Sequence, residues 1–303
     1  MLNNTTAPLS SEKQQEYIAI SKLGLELYNK QQYSEAIAAF DKVLEIDKNL
    51  FFVHYYRGRA LLDLGKFQEA ISSLTKAIEL PSTKENADYY FYRGVAFSKL
   101  DDNKNALENF EKALTLIPNQ HPNQHLYHDG KGCCLYKQER YQEAVDSFNE
   151  AINKNTTEQD PNYYYRRGRA LCDLKRYENA LKSYEEAIKI RDDGDYYRNK
   201  GIVLKCLERY PEAIESFNKA IEKDQNDADS YFNKGNTLYL ENKVEEALKC
   251  YDDAISLAKD KENALYFCQR GKVYNQLSDE EKSIADFDKA SWLMDSGKPG
   301  ENL

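Results

Sequence analysis

The sequence predicts an all-α chain built as an array of about eight helix–turn–helix hairpins, and three observations carry that prediction. First, glycines recur at Gly24, Gly58, Gly94, Gly132, Gly168, Gly201, Gly235 and Gly271, separated by 34, 36, 38, 36, 33, 34 and 36 residues. Second, fixed offsets follow each glycine. Twelve residues on lie Ala36, Ala70, Ala106, Ala144, Ala180, Ala213, Ala247 and Ser283; sixteen on lie Phe40, Leu74, Phe110, Phe148, Tyr184, Phe217, Tyr251 and Phe287; nineteen on lie Val43 and then alanine from Ala77 to Ala290. Third, each unit divides into two short amphipathic stretches around a brief polar turn, such as Lys175-Arg176 or the turn at Gly65. Small residues let two helix backbones approach while the aromatic side chains fill the space beside them. One hairpin of this length cannot bury its apolar face alone, so stacking of neighbours follows.

The eight glycine-centred units, best displayed by Tyr163 to Ile188, resemble the tetratricopeptide repeat, a helix–turn–helix of about 34 residues, over residues 14–294. The resemblance implies a right-handed superhelical solenoid whose first helices line an inner groove where peptides bind. One position departs from the family pattern: only Leu23 keeps the leucine before the glycine, and Arg57, Arg93, Lys131, Arg167, Lys200, Lys234 and Arg270 replace it. Long basic side chains are expected to lay their methylenes along the neighbouring helix and keep the charge in water.

In chain order, residues 1–10 read as a disordered segment, residues 11–294 as the array and residues 295–303 as a flexible Gly/Pro-containing tail. The hairpins are placed at about 17–50, 51–86, 87–124, 125–160, 161–193, 194–227, 228–263 and 264–294. Insertions fall between hairpins, at Pro81–Asn86 and Pro118–Gln124, and Thr156–Pro161 is a further turn-rich connector. Glu35, Glu69, Glu143, Glu212 and Glu246 open second helices, where the helix dipole favours an acid. Pro211 suits a first turn, where its missing N–H is not needed.

Composition narrows the function. The net charge of −9 opposes sequence-independent nucleic-acid binding. No apolar run approaches the ~20 residues of a membrane span, and the first residues lack a signal-peptide pattern, so a cytoplasmic setting is expected. The six cysteines form no CxxC pair and are expected to be free thiols. His121, His125 and His128 cluster in one loop, but their spacing fits no familiar ligand pattern and no metal is assigned. The chain has no P-loop, HExxH motif or nucleophile elbow. No cofactor is expected, and an enzyme is disfavoured.

What remains is the inner groove. Carried over from the resemblance, its residues lie three before, two before, one after and four or five after each glycine. The candidates are Tyr55, Arg59, Tyr165, Arg166, Arg169, Arg198, Asn199, Phe232, Asn233, Asn236 and Lys272, with Phe91, Tyr136, Lys205 and Tyr239 beside them. A basic, aromatic concavity on an acidic body predicts a partner segment rich in Asp and Glu with apolar anchors. Arg59 and Asp63, and Arg169 and Asp173, stand four apart and can instead pair along their own helices. The lysine–asparagine clamp by which some family members hold chaperone C-termini is missing, since the seventh unit pairs Asn236 with Phe232 where a lysine is needed and the eighth offers Gln269. The reading is a protein-binding scaffold or adaptor. A permanent structural subunit is the alternative, and Trp292 on the last helix is a candidate end contact with a partner or a second copy.

Overall fold

The structure is a computed structural model, and it describes residues 11–80, 86–117, 121–155, 159–258 and 263–295. Residues 1–10 and all of the expected tail except Asp295 lie outside the described residues. Among the described residues there are sixteen α-helices and no strand. They pair as α1 (Ser11–Asn29) with α2 (Tyr33–Ile46), α3 (Phe51–Asp63) with α4 (Phe67–Glu79), α5 (Ala87–Lys99) with α6 (Asn103–Leu116), and α7 (Gln124–Lys137) with α8 (Tyr141–Lys154). These belong to one compact unit, Met1–Thr157. A second, Glu158–Leu303, holds α9 (Pro161–Asp173) with α10 (Tyr177–Ile190), α11 (Gly194–Cys206) with α12 (Tyr210–Lys223), α13 (Ala228–Leu240) with α14 (Val244–Leu257), and α15 (Ala264–Gln276) with α16 (Glu280–Asp295). Within each unit the first helix of a hairpin packs on its own second helix and on the second helix of the hairpin before it.

The glycine register is a packing register. A Cβ added at Gly168 would stand 2.7 Å from the Tyr184 ring, and one at Gly132 would stand 2.6 Å from the Phe148 ring. Only hydrogen fits there, which brings the two backbones together over a buried aromatic. The last hairpin is looser, with 3.2 Å between a Cβ at Gly271 and Phe287.

The turn inside each hairpin repeats as strictly. Seven residues after each glycine the backbone enters the left-handed region, at Gln31, Gly65, Asp101, Glu139, Lys175, Glu208, Asn242 and Ser278, with φ between 57° and 75°. The next N–H then reaches back to the carbonyl three residues past the glycine, as in Lys66 N to Leu61 O at 2.8 Å and Arg176 N to Leu171 O at 2.8 Å. This is a Schellman closure. Glycine serves it only at Gly65, and elsewhere a side chain tolerates a conformation that costs about 1–2 kcal/mol.

The basic residue before the glycine departs from expectation in most hairpins, because its charge is paired across helices. Arg57 donates to Asp41 of the preceding hairpin at 2.6 Å and to Ser73 of its own second helix at 2.5 Å. Arg93 reaches Thr75 and Asn109, Arg270 reaches Asp252 and Asp286, and Lys131 and Lys200 meet Glu111 and Glu185. The residue fifteen after the glycine is polar and buried in most hairpins; Ser73, Asn109, Ser183 and Asp286 accept from the cation, while the Ser147 and Ser216 hydroxyls donate to Glu143 O and Glu212 O. These cations tie second helices together across hairpins. A buried acceptor needs a donor, so the methylenes cannot simply deliver the charge to solvent.

Candidate functional site

The face formed by the first helices carries the candidate site, and its positions serve two different purposes. In four hairpins the aromatic side chain three residues before the glycine turns toward the next hairpin. Tyr55 meets Tyr89 with ring centroids 4.8 Å apart, Phe91 meets Tyr127 at 4.5 Å, Tyr165 meets Tyr196 at 5.2 Å and Phe232 meets Tyr266 at 4.6 Å. The Tyr127 and Tyr266 hydroxyls then donate to Asp88 and Asp229 of the preceding hairpins. Tyr55 is only 8% exposed. Tyr55, Tyr165 and Phe232, read from the sequence as ligand contacts, are therefore taken up in the seam between hairpins, where aromatic pairs hold adjacent first helices.

Arg198 occupies the same position and shares that fate. Its guanidinium donates to Asp227 at 2.7 Å and pairs with Asp195 at 2.6 Å. It closes the contact between α11 and the start of α13 and offers no unpaired charge to a partner. Asn199 and Asn233 repeat one another: each side-chain amide donates to the carbonyl four residues earlier, on Asp195 at 2.8 Å and Asp229 at 2.9 Å. Asn199 also reaches the Tyr165 hydroxyl, and Asn233 accepts from Lys205 at 3.3 Å. Burial lowers the Lys205 ammonium below its ordinary pKa. Asn236 accepts from the Tyr251 hydroxyl at 2.9 Å. Arg166 is half-buried and Arg169 and Lys272 are exposed on the same face of their helices.

Arg59 is placed differently. It stands one residue after its glycine, and its guanidinium carbon lies 4.6 Å from the centre of the Tyr92 ring and 5.1 Å from that of Tyr28. Tyr55 and Tyr56 flank it at 5.6 and 6.0 Å. Its Nε is buried without a hydrogen-bond partner. The anticipated pair with Asp63 does not form, because Asp63 accepts instead from the Tyr28 hydroxyl at 2.9 Å. Burial, and then that bond, raise the Tyr28 hydroxyl well above its ordinary pKa, so it stays a donor. Beside Arg59 opens a hollow of about 320 Å³ lined by Tyr28, Leu62, Asp63, Phe67, Tyr92, Val95 and Lys99. All but Phe67 stand at the inner offsets named above, so a sequence reading that applied those offsets to the first three hairpins would have found them.

The remaining chemistry is quiet. Burial pushes the Cys134 and Cys172 thiols up to about 11, which leaves them protonated and poorly nucleophilic at neutral pH. Among the described residues no group of three His, Cys, Asp or Glu side chains is placed to hold a metal. Among them, too, no helix is long and apolar enough to cross a membrane.

Comparison with known proteins gives a consistent picture. The chain matches the family described as Tetratricopeptide repeat over residues 55–121, 160–226 and 216–249, and TPR repeat over 24–65. Residues 99–187 match the Anaphase-promoting complex, cyclosome, subunit 3 family. It is 28% identical over 195 residues to the Hsp70-Hsp90 organizing protein of Triticum aestivum, covering 54% of this chain and 33% of that one. It is 31% identical over 137 residues to Tetratricopeptide repeat protein 13 of Homo sapiens, covering 45% and 15% respectively. The chain thus spans a third or less of the length of these relatives. Among solved structures, YrrB, a TPR protein with an unusual peptide-binding site, is 27% identical with a TM-score of 0.53, covering 63% of this chain and 94% of that one. The C-terminal part of a TPR repeat-containing protein from Cytophaga hutchinsonii has a TM-score of 0.64 at 16% identity, covering 78% and 94%, and speaks to the fold alone.

Proposed function

Because the chain belongs to the tetratricopeptide-repeat family, we propose that it is a non-enzymatic, cytoplasmic scaffold that binds a partner protein through a segment laid on its first-helix face. The observation that carries the reading is the hollow at Arg59. A guanidinium held between aromatic faces keeps its charge, and the Asp63 carboxylate in the same hollow is engaged by the Tyr28 hydroxyl instead. A carboxylate from outside would complete it with a charge-assisted, forked hydrogen bond. The apolar walls from Leu62, Phe67 and Val95 suit a neighbouring anchor side chain, and Lys99 adds a second cation at the rim.

The proposed ligand is an extended or helical segment rich in Asp and Glu with one or two apolar anchors. Arg166, Arg169, Asn199, Asn233, Asn236 and Lys272 form a further candidate stretch on the first helices of the second unit. Chaperone C-termini fit less well. The position that would supply the clamp lysine is Phe232, whose ring packs on Tyr251 and Tyr266.

Capture from native lysate with wild-type protein, with Arg59→Glu/Lys99→Glu and with Arg166→Glu/Arg169→Glu tests the reading. Loss of one stoichiometric partner in a folded double variant supports it. A partner retained by both variants places the interface elsewhere.

A further inference from the structure

The outer stripe of α16 differs from the same stripe in every earlier hairpin. Thirteen residues after the glycine, Ile71, Leu107, Val145 and Leu181 are buried, but Ile284 is 60% exposed. Sixteen after, Phe217 and Tyr251 are fully buried, but Phe287 is 39% exposed. Twenty-one after stand Glu45, Glu79, Thr115, Asn153, Lys189, Glu222 and Ser256, all polar; here the residue is Trp292, 53% exposed with Lys289 Nζ 4.7 Å from its ring. Ile284, Phe287, Asp288 and Trp292 are spaced i, i+3, i+4 and i+8, so they share one helix face.

The internal hairpins show what covers such a face. Seventeen residues after the glycine an acid repeatedly receives the cation of the next first helix: Asp41 from Arg57, Glu111 from Lys131, Glu185 from Lys200 and Asp252 from Arg270. Asp288 occupies that position in the last hairpin and meets no cation among the described residues. The chain's own first helix does not supply one, since Leu23 stands where the cation belongs.

We propose that this stripe docks an amphipathic helix of a partner protein that carries a lysine or arginine within its apolar face, the cation seated on Asp288 and the apolar side chains on Ile284, Phe287 and Trp292. The surface is independent of the hollow at Arg59. A helix-stapled peptide of Ala264–Gln276, which presents Arg270 in the required register, serves as the probe, and the single tryptophan reports on it.

Titration into the full chain is expected to shift Trp292 emission to the blue and to saturate. Asp288→Lys should weaken binding at least ~10-fold, as loss of an ion pair plus a like-charge contact requires. A probe bearing Arg270→Glu should bind Asp288→Lys more tightly than it binds wild type. The Arg59→Glu variant should bind the probe as wild type does. No spectral change, or equal affinity in wild type and Asp288→Lys, overturns the proposal. So does an emission shift that follows the chain's own concentration with a doubling of mass by sedimentation, because the occupant is then a second copy.

Discussion

Arg59 and Arg198 lie on the first helices of their hairpins, four residues apart in register, and have opposite fates. Arg198, three before its glycine, is turned into the seam and closed by Asp195 and Asp227. Arg59, one after its glycine, is stacked on tyrosine rings that leave its charge unspent. Counting basic residues on a helical face therefore misjudges the charge a partner meets. The offset within the repeat decides whether an arginine is part of the protein's packing or available to a ligand.

The difference is testable through stability. Arg270 is the extreme closed case, donating twice to Asp286, whose side chain is 8% exposed, and once to Asp252. The bonds to Asp286 and then Asp252 raise the guanidinium above its ordinary pKa against the opposing effect of burial. Arg270→Ala leaves a buried carboxylate alone and is expected to cost about 3–5 kcal/mol in urea unfolding. A loss below ~1 kcal/mol would mean that these cations do not tie the hairpins. Arg198→Gln should cost less, about 2 kcal/mol, because Asp227 still caps α13 by accepting from Ser230 N. Arg59→Gln should change stability least, by about 1 kcal/mol, since it gives up contacts to tyrosines but leaves no carboxylate alone. If Arg59→Gln destabilised more than Arg198→Gln, the assignment of open and closed arginines would be reversed.

Much of the fold was legible because the close helix contact admits only glycine, and that constraint writes itself into sequence at every repeat. The turn was half legible. Gly65 announces a left-handed residue, but Glu139, Lys175 and Glu208 hold the same conformation with side chains that give no sign of it. The cations before the glycines were read as solvated because their acceptors, Ser73 and Asn109 among them, lie sixteen residues away on another helix. The hollow was missed for a related reason. Tyr28, Arg59 and Tyr92 come from three successive hairpins, and the reading followed the density of arginines in hairpins five to seven instead of the shared offsets.

The most direct test places the two arginines side by side. Affinity for a fluorescein-labelled decapeptide rich in Asp and Glu with two leucine anchors is measured in wild type, Arg59→Gln and Arg198→Gln under one salt condition. Arg59→Gln is expected to weaken binding at least ~10-fold, equivalent to about 1.4 kcal/mol, while folded Arg198→Gln binds as wild type does. Loss of binding in Arg198→Gln with full affinity in Arg59→Gln would contradict the account.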